Sequence, residues 1–375
     1  DRCAPPHPPH QAECVCFDIT DQASVDTALD RVRLAYGDKI AACIPLAGYF
    51  DLSGEDNPAY DAVTVEGSRR LLKGLQAFEL EQFVFASTML AHAPTEPGEP
   101  IDEDHPLEPK FPYRASKVRT EKVLREEQGE EKLVLMRPAG IYDDTGKSAF
   151  LAHQIARIHE RRFNGKVYPG DLSRGQAFLH LDDFLDAVDR IVDRRAKLPD
   201  VFPVLLGETD PIPFGDLQRL IGRELHGEDW ITWNVPPQLA KLGAWTENEV
   251  FGENAFIQAW MVDISSDHYE LDLSAAKKHL NWTPEHSLRD DMPGILQRLK
   301  DDPYGWYEAN GLNAARVSAA KVETAAAEEA TEEAPTEAEA DAATREHDQH
   351  MRQMHFSMLW VHWLVMALGL WLATA

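Results

Sequence analysis

"FPYRASKVRTEKVLREEQGEEKLVLMRP", residues 111–138, decides the fold. Its first half alternates charged and apolar residues at helical spacing, and Pro112 suits the opening turn of a helix. It closes on "KLVLMRP" (132–138), a short apolar run that reads as a strand buried on both faces. The same alternation fills the chain from residue 13 to about 140. Strand-like runs stand at "ECVCFDI" (13–19), "IAACIPLAG" (40–48) and "QFVFAST" (82–88). Helical patterns separate them at "QASVDTALDRVRLAY" (22–36) and "AYDAVTVEGSRRLLKGLQAF" (59–78). Continuous apolar strands alternating with amphipathic helices imply an α/β chain with a doubly wound parallel sheet, covered on both sides. Ligands in such sheets sit past the carboxyl ends of the strands, so Asp18, Gly48, Ser87 and Pro138 are expected to face one crevice.

The pattern loosens after residue 140. Helical segments at 148–161, 182–194 and 213–225 and a strand-like "VFPVLLG" (201–207) imply a smaller α/β substrate cap over 141–305, partly interleaved with the sheet domain of 1–140. Residues 306–350 are rich in Ala and Glu and poor in large apolar side chains, which predicts a solvated acidic linker. Residues 355–375 are apolar from Phe356 onward except for Ser357, His362 and Thr374, which predicts a transmembrane helix, and the sequence leaves room for it to be the first of several. Arg345 and Arg352 flank its amino side and put the remainder of the chain in the cytosol. Within it, "HWLVMALGLWL" (362–372) resembles the start of the short bacterial membrane repeats named for a Ser-Pro-Trp motif.

Composition narrows the function classes. A chain of 375 residues with 43% hydrophobic content buries a large core, and a net charge of −27 argues against nucleic acid as a partner. The four cysteines (Cys3, Cys14, Cys16 and Cys43) lack metal-ligand spacing and read as reduced thiols of a cytosolic protein, and the "HPPH" of His7 and His10 reads as a solvent-exposed loop. No metal site is expected.

Tyr113 and Lys117, at i and i+4, share one helix face. A cation close to a phenol favours the phenolate, bringing it toward the range where it exchanges a proton with an alcohol or a carbonyl. The spacing alone also fits an ordinary helix surface. A strand ending in Ser87 and Thr88 upstream supplies a hydroxyl to the same crevice.

Several motifs occur together here: "FDITD" (17–21), "IPLAG" (44–48), "VTVEGSRRLL" (63–72), "FVFAST" (83–88) and "IDEDHPLEPKFPYRASKVRTE" (101–121). "LMRPAGIYD" (135–143), "FLHLDDFLDAV" (178–188) and "YELDLSAAKKHLNWTPEHSLRDDM" (269–292) follow. Over residues 1–300 the chain resembles the extended short-chain dehydrogenase/reductases, the NAD-dependent epimerase/dehydratase group with a Rossmann-like fold. The resemblance implies that Tyr113 is the proton-exchanging residue, Lys117 its tuner and the ribose ligand, and Thr88 the hydroxyl that polarises the substrate oxygen, with Ser87 beside it. It further implies that Asp18 and Ile19 hold the adenine, that Leu46, Ala47 and Gly48 line the cofactor's path, and that Pro138 and Ala139 lie along the nicotinamide. Asp18 also fits a helix cap, Gly48 a turn, and Thr88 a strand-end hydroxyl bonded to backbone.

The departures from the family pattern are as informative. The glycine-rich pyrophosphate loop is not in the sequence, so the chain is expected to be a fragment whose Asp1 is the ribose-binding acid that favours NAD over NADP. Thr64 replaces the family's Asn, and His92 its Tyr. Gly140 and Gln176 replace the Asn and the Arg that meet a nucleotide-sugar diphosphate, with Arg174 nearby as a partial substitute. Met89 and Leu90 follow Thr88 where dehydratases carry an acid, so dehydration falls behind oxidoreduction and epimerisation.

The resemblance thus implies an NAD-dependent oxidoreductase or epimerase acting on a hydroxyl or carbonyl carbon of a small, sugar-derived molecule. It is expected on the inner face of the cell membrane, and the family allows a homodimer through paired helices. The competing readings are an NAD(H)-binding sensor or scaffold without turnover, and a membrane-anchored assembly subunit without a ligand.

Overall fold

The computed structural model describes residues 14–51, 53–236, 258–315 and 317. Asp1, the acidic linker beyond 317 and the expected membrane segment with its repeat lie outside the described residues. Among the described residues, no helix is long and apolar enough to cross a membrane. Residues up to Leu312 form one compact unit.

Helix α1, Gln22–Tyr36, starts where the Asp21 carboxylate accepts the Ser24 amide and stops at Gly37, whose φ of 86° suits glycine. Strand β1, Lys39–Ile40, follows, and after an extended segment a π-helical turn at Tyr60–Val65 runs into α2, Glu66–Leu75. Then come β2 (Glu79–Leu80), β3 (Gln82–Ala86), α3 (Pro112–Glu127) and β4 (Lys132–Pro138). The chain continues through β5 (Gly140–Tyr142), α4 (Ala149–His159), β6 (Val167–Tyr168), β7 (Phe178–His180) and α5 (Leu181–Asp193). Strand β8 (Val201–Leu206), α6 (Phe214–His226), β9 (Trp233–Asn234) and α7 (Ala259–Asp263) precede α8 (Ser274–Leu280), α9 (Leu288–Asp301) and α10 (Pro303–Ala309).

Strands β3, β4 and β8 form a parallel sheet in that order, with Phe83 opposite Leu133 and Val134 opposite Phe202. Parallel pairing of β1 with β2 and the bridge from Cys43 to Phe83 extend it by one more strand path. The "VFPVLLG" segment, read above as part of the cap, therefore supplies β8 of the main sheet, and Pro203 is tolerated because β8 is an edge among the described strands.

Side-chain alternation explains the double winding. Phe83, Phe85, Leu133 and Leu135 point to one side and pack with Leu71, Leu72 and Leu75 of α2 and Leu124 of α3. Val84, Val134 and Met136 point to the other and pack with Ala187 and Ile191 of α5, Ala276 of α8, and Trp282. The expected first strand is not one: residues 14–18 pair with no strand among those described, and Cys16 is exposed. The 40–48 run likewise pairs only through Ile40 and Cys43, and its apolar Leu46 is 72% exposed.

Candidate active site

Helix α3 carries Tyr113, Lys117 and Glu121 on one face, aimed at the carboxyl end of β3. The Lys117 ammonium donates to the Ala86 carbonyl at 2.7 Å and lies 5.0 Å from the Phe85 ring centroid and 5.7 Å from that of Tyr113. Phe50 meets the Tyr113 ring edge-on at 5.0 Å. Gly48 stands beside the ammonium: a Cβ there would be 3.5 Å from Lys117 Nζ and 3.8 Å from Thr64 Oγ1. Thr64, in place of the family's Asn, accepts the Tyr49 amide at 3.0 Å and so fixes the same loop.

Burial, rather than the neighbouring cation, sets both ionisations. Desolvation pushes the Tyr113 phenol up to about 12, with the Tyr60 phenol adding to the rise. The expected lowering by Lys117 is corrected here: among the described residues no hydrogen bond joins the two groups, and the ammonium sits over the ring instead. Desolvation likewise pulls Lys117 down to about 8. One carbonyl satisfies one of its three donors, so the buried ammonium retains hydrogen bonds to give. That is a fit for hydroxyl groups of a ribose approaching over Gly48.

The other expected site residues divide into those near this centre and those engaged elsewhere. Thr88 Oγ1 accepts the Leu90 amide at 3.3 Å, capping the turn Met89–Ala91 and leaving its O–H able to donate. Gly140 and Gln176 line a cavity of about 280 Å³ that reaches Tyr113. Arg174 does not line it; its guanidinium is held by Glu96 at 2.6 Å and Asp171 at 3.5 Å, which removes it as a diphosphate ligand. Asp18 turns its carboxylate onto Thr20, accepting from the amide at 2.9 Å and the hydroxyl at 2.7 Å. Ile19 is a packing residue against Gly67, where an added Cβ would come within 3.1 Å. Leu46, Ala47 and Gly48 are exposed, whereas Pro138 ends β4 and the amide of the buried Ala139 donates to Leu206.

The Ser87 hydroxyl donates to Glu121 Oε1 at 2.5 Å inside a buried network. Arg137 donates to both Glu121 oxygens, at 3.0 and 2.6 Å, and to the Glu103 carbonyl at 2.9 Å. His92 completes it, with Nε2 at 3.0 Å from Arg137 and Nδ1 at 2.9 Å from the His105 carbonyl. Burial and the Arg137 charge lower His92 to about 4, so the ring is neutral, with Nδ1–H donating and Nε2 accepting. This network fixes the carboxyl ends of β3 and β4 under the site, and the sequence reading missed it. Glu121 four residues after Lys117 was the available signal.

Two of the motifs are joined by one carboxylate. Asp183 of "FLHLDDFLDAV" accepts the Glu285 and His286 amides, each at 2.9 Å, and His180 stacks on His286 at 4.0 Å. His180, His286 and Asp291 bring donor atoms within 4.8 Å of one another, a convergence the sequence did not suggest. Its members are already bonded: His180 Nδ1 accepts the Asp182 amide, and Asp291 accepts the Tyr142 hydroxyl at 2.7 Å.

The profile of the "NAD dependent epimerase/dehydratase family" matches residues 2–204, more than half of the chain. No curated protein matches it. Among solved structures, Pal from Bacillus thuringiensis is similar with a TM-score of 0.55 at 20% identity, over 76% of this chain and 83% of that one. UDP-glucuronic acid 4-epimerase from Bacillus cereus, in complex with NAD and a fluorinated UDP-sugar, gives 0.55 at 14% identity over 76% and 81%. MoeE5, in complex with UDP-glucuronic acid and NAD, gives 0.54 at 17% over 76% and 85%. These likenesses establish the fold.

Proposed function

Because the chain belongs to the NAD-dependent epimerase/dehydratase family, a family of NAD-dependent enzymes, we propose that it interconverts a secondary alcohol and a carbonyl on a small molecule in the crevice at Tyr113. NAD supplies hydride transfer when bound. Lys117 would hold the ribose hydroxyls with its remaining N–H donors. Tyr113, protonated across neutral pH because its phenol stands at about 12, would give its proton to a carbonyl oxygen, and Thr88 would donate a second hydrogen bond to the same oxygen. The observation that carries this reading is a buried ammonium, beside a phenol, with donors that the protein leaves for a ligand. A sugar-derived substrate is favoured by the UDP-sugar complexes among the similar structures, and the mainly apolar lining of the cavity narrows it to one without the diphosphate. A membrane tether through residues 356–375, with the catalytic unit on the cytosolic side, is part of the same proposal. It predicts that the full-length protein stays in the membrane pellet after an alkaline carbonate wash; release into the supernatant would refute it.

Lys117→Met tests the site. Lys117 titrates near 8 in the fold against an ordinary 10.5, so the folded protein binds this proton more weakly than the unfolded chain. The resulting penalty is fully present below about pH 8 and disappears as pH rises through 8 to 10.5. Replacement by an uncharged side chain of similar length should therefore raise stability at pH 7 by about 1–3 kcal/mol, with the gain vanishing above pH 10. The same variant should lose NADH binding, read as nicotinamide fluorescence. Full retention of binding would remove Lys117 from the site.

A further inference from the structure

The wall of the cavity beside Tyr113 is mainly apolar and carries several aromatic rings. Phe111 and Trp260 lie 5.2 Å apart and Phe150 and Trp260 6.4 Å apart, while Tyr168 and Phe214, 5.3 Å apart, form a second pair. Trp260 is seated there by Gly54, which has φ of 76° and where any Cβ would collide with the indole. Met89, Leu151, Leu217 and Phe178 complete the apolar lining.

Charge is poorly matched to a diphosphate. The cationic side chains on the wall, among the described residues, are Arg114 and Arg157. Arg114 is buried, donates to the Tyr269 hydroxyl at 3.2 Å and faces Asp267 at 3.5 Å. Asp51 contributes an opposing carboxylate, whose pKa is lowered by the Ser53 amide so that it is ionised at neutral pH. Gly140 and Gln176 supply no charge, and Arg174 is turned away onto Glu96. A volume of about 280 Å³ sits at the small end of ligand pockets, which run from roughly 300 to 1,000 Å³. Among the described residues, the one wall cation besides Arg114 is Arg157, set against Asp51 and a poor match for the two charges of a diphosphate in a mainly apolar cavity, whereas an apolar skeleton gains by burial.

We propose that this cavity takes a compact, uncharged, ring-bearing ketone or its secondary alcohol, and that it discriminates against nucleoside-diphosphate sugars. The proposal rests on the redox reading of the Tyr113 site and specifies its substrate.

The test uses full-length protein saturated with NAD, titrated calorimetrically with tetralone and, separately, with UDP-glucose. Tetralone is expected to bind at least about tenfold more tightly, and Phe150→Asp, on the cavity wall at a 37% exposed position, to weaken it by at least about tenfold with the melting temperature unchanged. UDP-glucose binding as tightly as tetralone, undetectable tetralone binding, or indifference to Phe150→Asp would overturn the proposal. NADH oxidation with tetralone is measured in parallel. Selective, Phe150-dependent binding without hydride exchange upholds the apolar preference of the cavity and instead defeats the redox reading, so the two failures are told apart.

Discussion

Tyr113→Phe is expected to lower kcat by about 10²–10⁴-fold while leaving NADH affinity unchanged. Phenylalanine keeps the ring that meets Phe50 at 5.0 Å and lies under the Lys117 ammonium at 5.7 Å, so the substitution deletes the hydroxyl and little else. The phenol stands at about 12 because it is buried, and it is a proton donor throughout the neutral range. Reduction of a carbonyl, which consumes that proton, should therefore be flat with pH up to the alkaline limb. Oxidation of the alcohol, which needs the phenolate, should rise with pH until the phenol has ionised. The variant should lose that rise as well as the rate. Steady-state kinetics in both directions between pH 6 and 10 would read both. Unchanged kcat would end the enzymatic assignment of Tyr113, and binding of NADH without any turnover in the wild type would favour the sensor reading.

Glu121→Gln is expected to cost about 3–5 kcal/mol of stability, the usual penalty for stranding a buried charge. Both members of the Glu121–Arg137 pair are 3% exposed, and their shortest contact is 2.6 Å. Arg137 would keep neutral acceptors, the amide oxygen of the introduced side chain, the Glu103 carbonyl and His92, a ring held neutral by the same surroundings, but would lose the paired carboxylate charge. The double variant Glu121→Gln, Arg137→Met removes the stranded charge and should recover most of the loss. Urea unfolding of wild type, single and double variants checks this. A single-variant cost below about 1 kcal/mol, within the range of a solvent-exposed pair, would show that water reaches the network.

Much of the fold was legible because both faces of its strands are buried. Lys132–Pro138 and Gln22–Tyr36 emerge at the bounds read from the sequence, the first around an unbroken apolar run and the second between the Asp21 cap and Gly37. "ECVCFDI" was misread because a strand needs a neighbour as well as a composition, and composition says nothing of neighbours. "VFPVLLG" reads as a strand but falls in the loosened pattern after residue 140, and its place beside β4 in the main sheet depends on a long-range pairing that local pattern does not carry. In the candidate site, the Tyr113–Lys117 spacing on one helix face is reproduced, with the ammonium 5.7 Å from the ring centroid. It did not give the sign of the phenol's shift, since a spacing carries the Coulomb attraction but not the desolvation that outweighs it. Local spacing is equally silent on the partners of Ser87 and Arg174, Glu121 and Glu96, which lie far off in the chain and close in space.

The Asp183 carboxylate closes a loop of more than a hundred residues when it takes the Glu285 and His286 amides. Trp282, in the same late segment, is fully buried against the sheet, and Leu271 pairs with Ile101. During synthesis, then, this packing on the sheet cannot form until residues near 286 have left the ribosome, well after the strands that carry the chemistry have emerged. For about a hundred codons that apolar face of the sheet waits for its cover, and contacts of such sequence separation predict slow folding of the nascent chain.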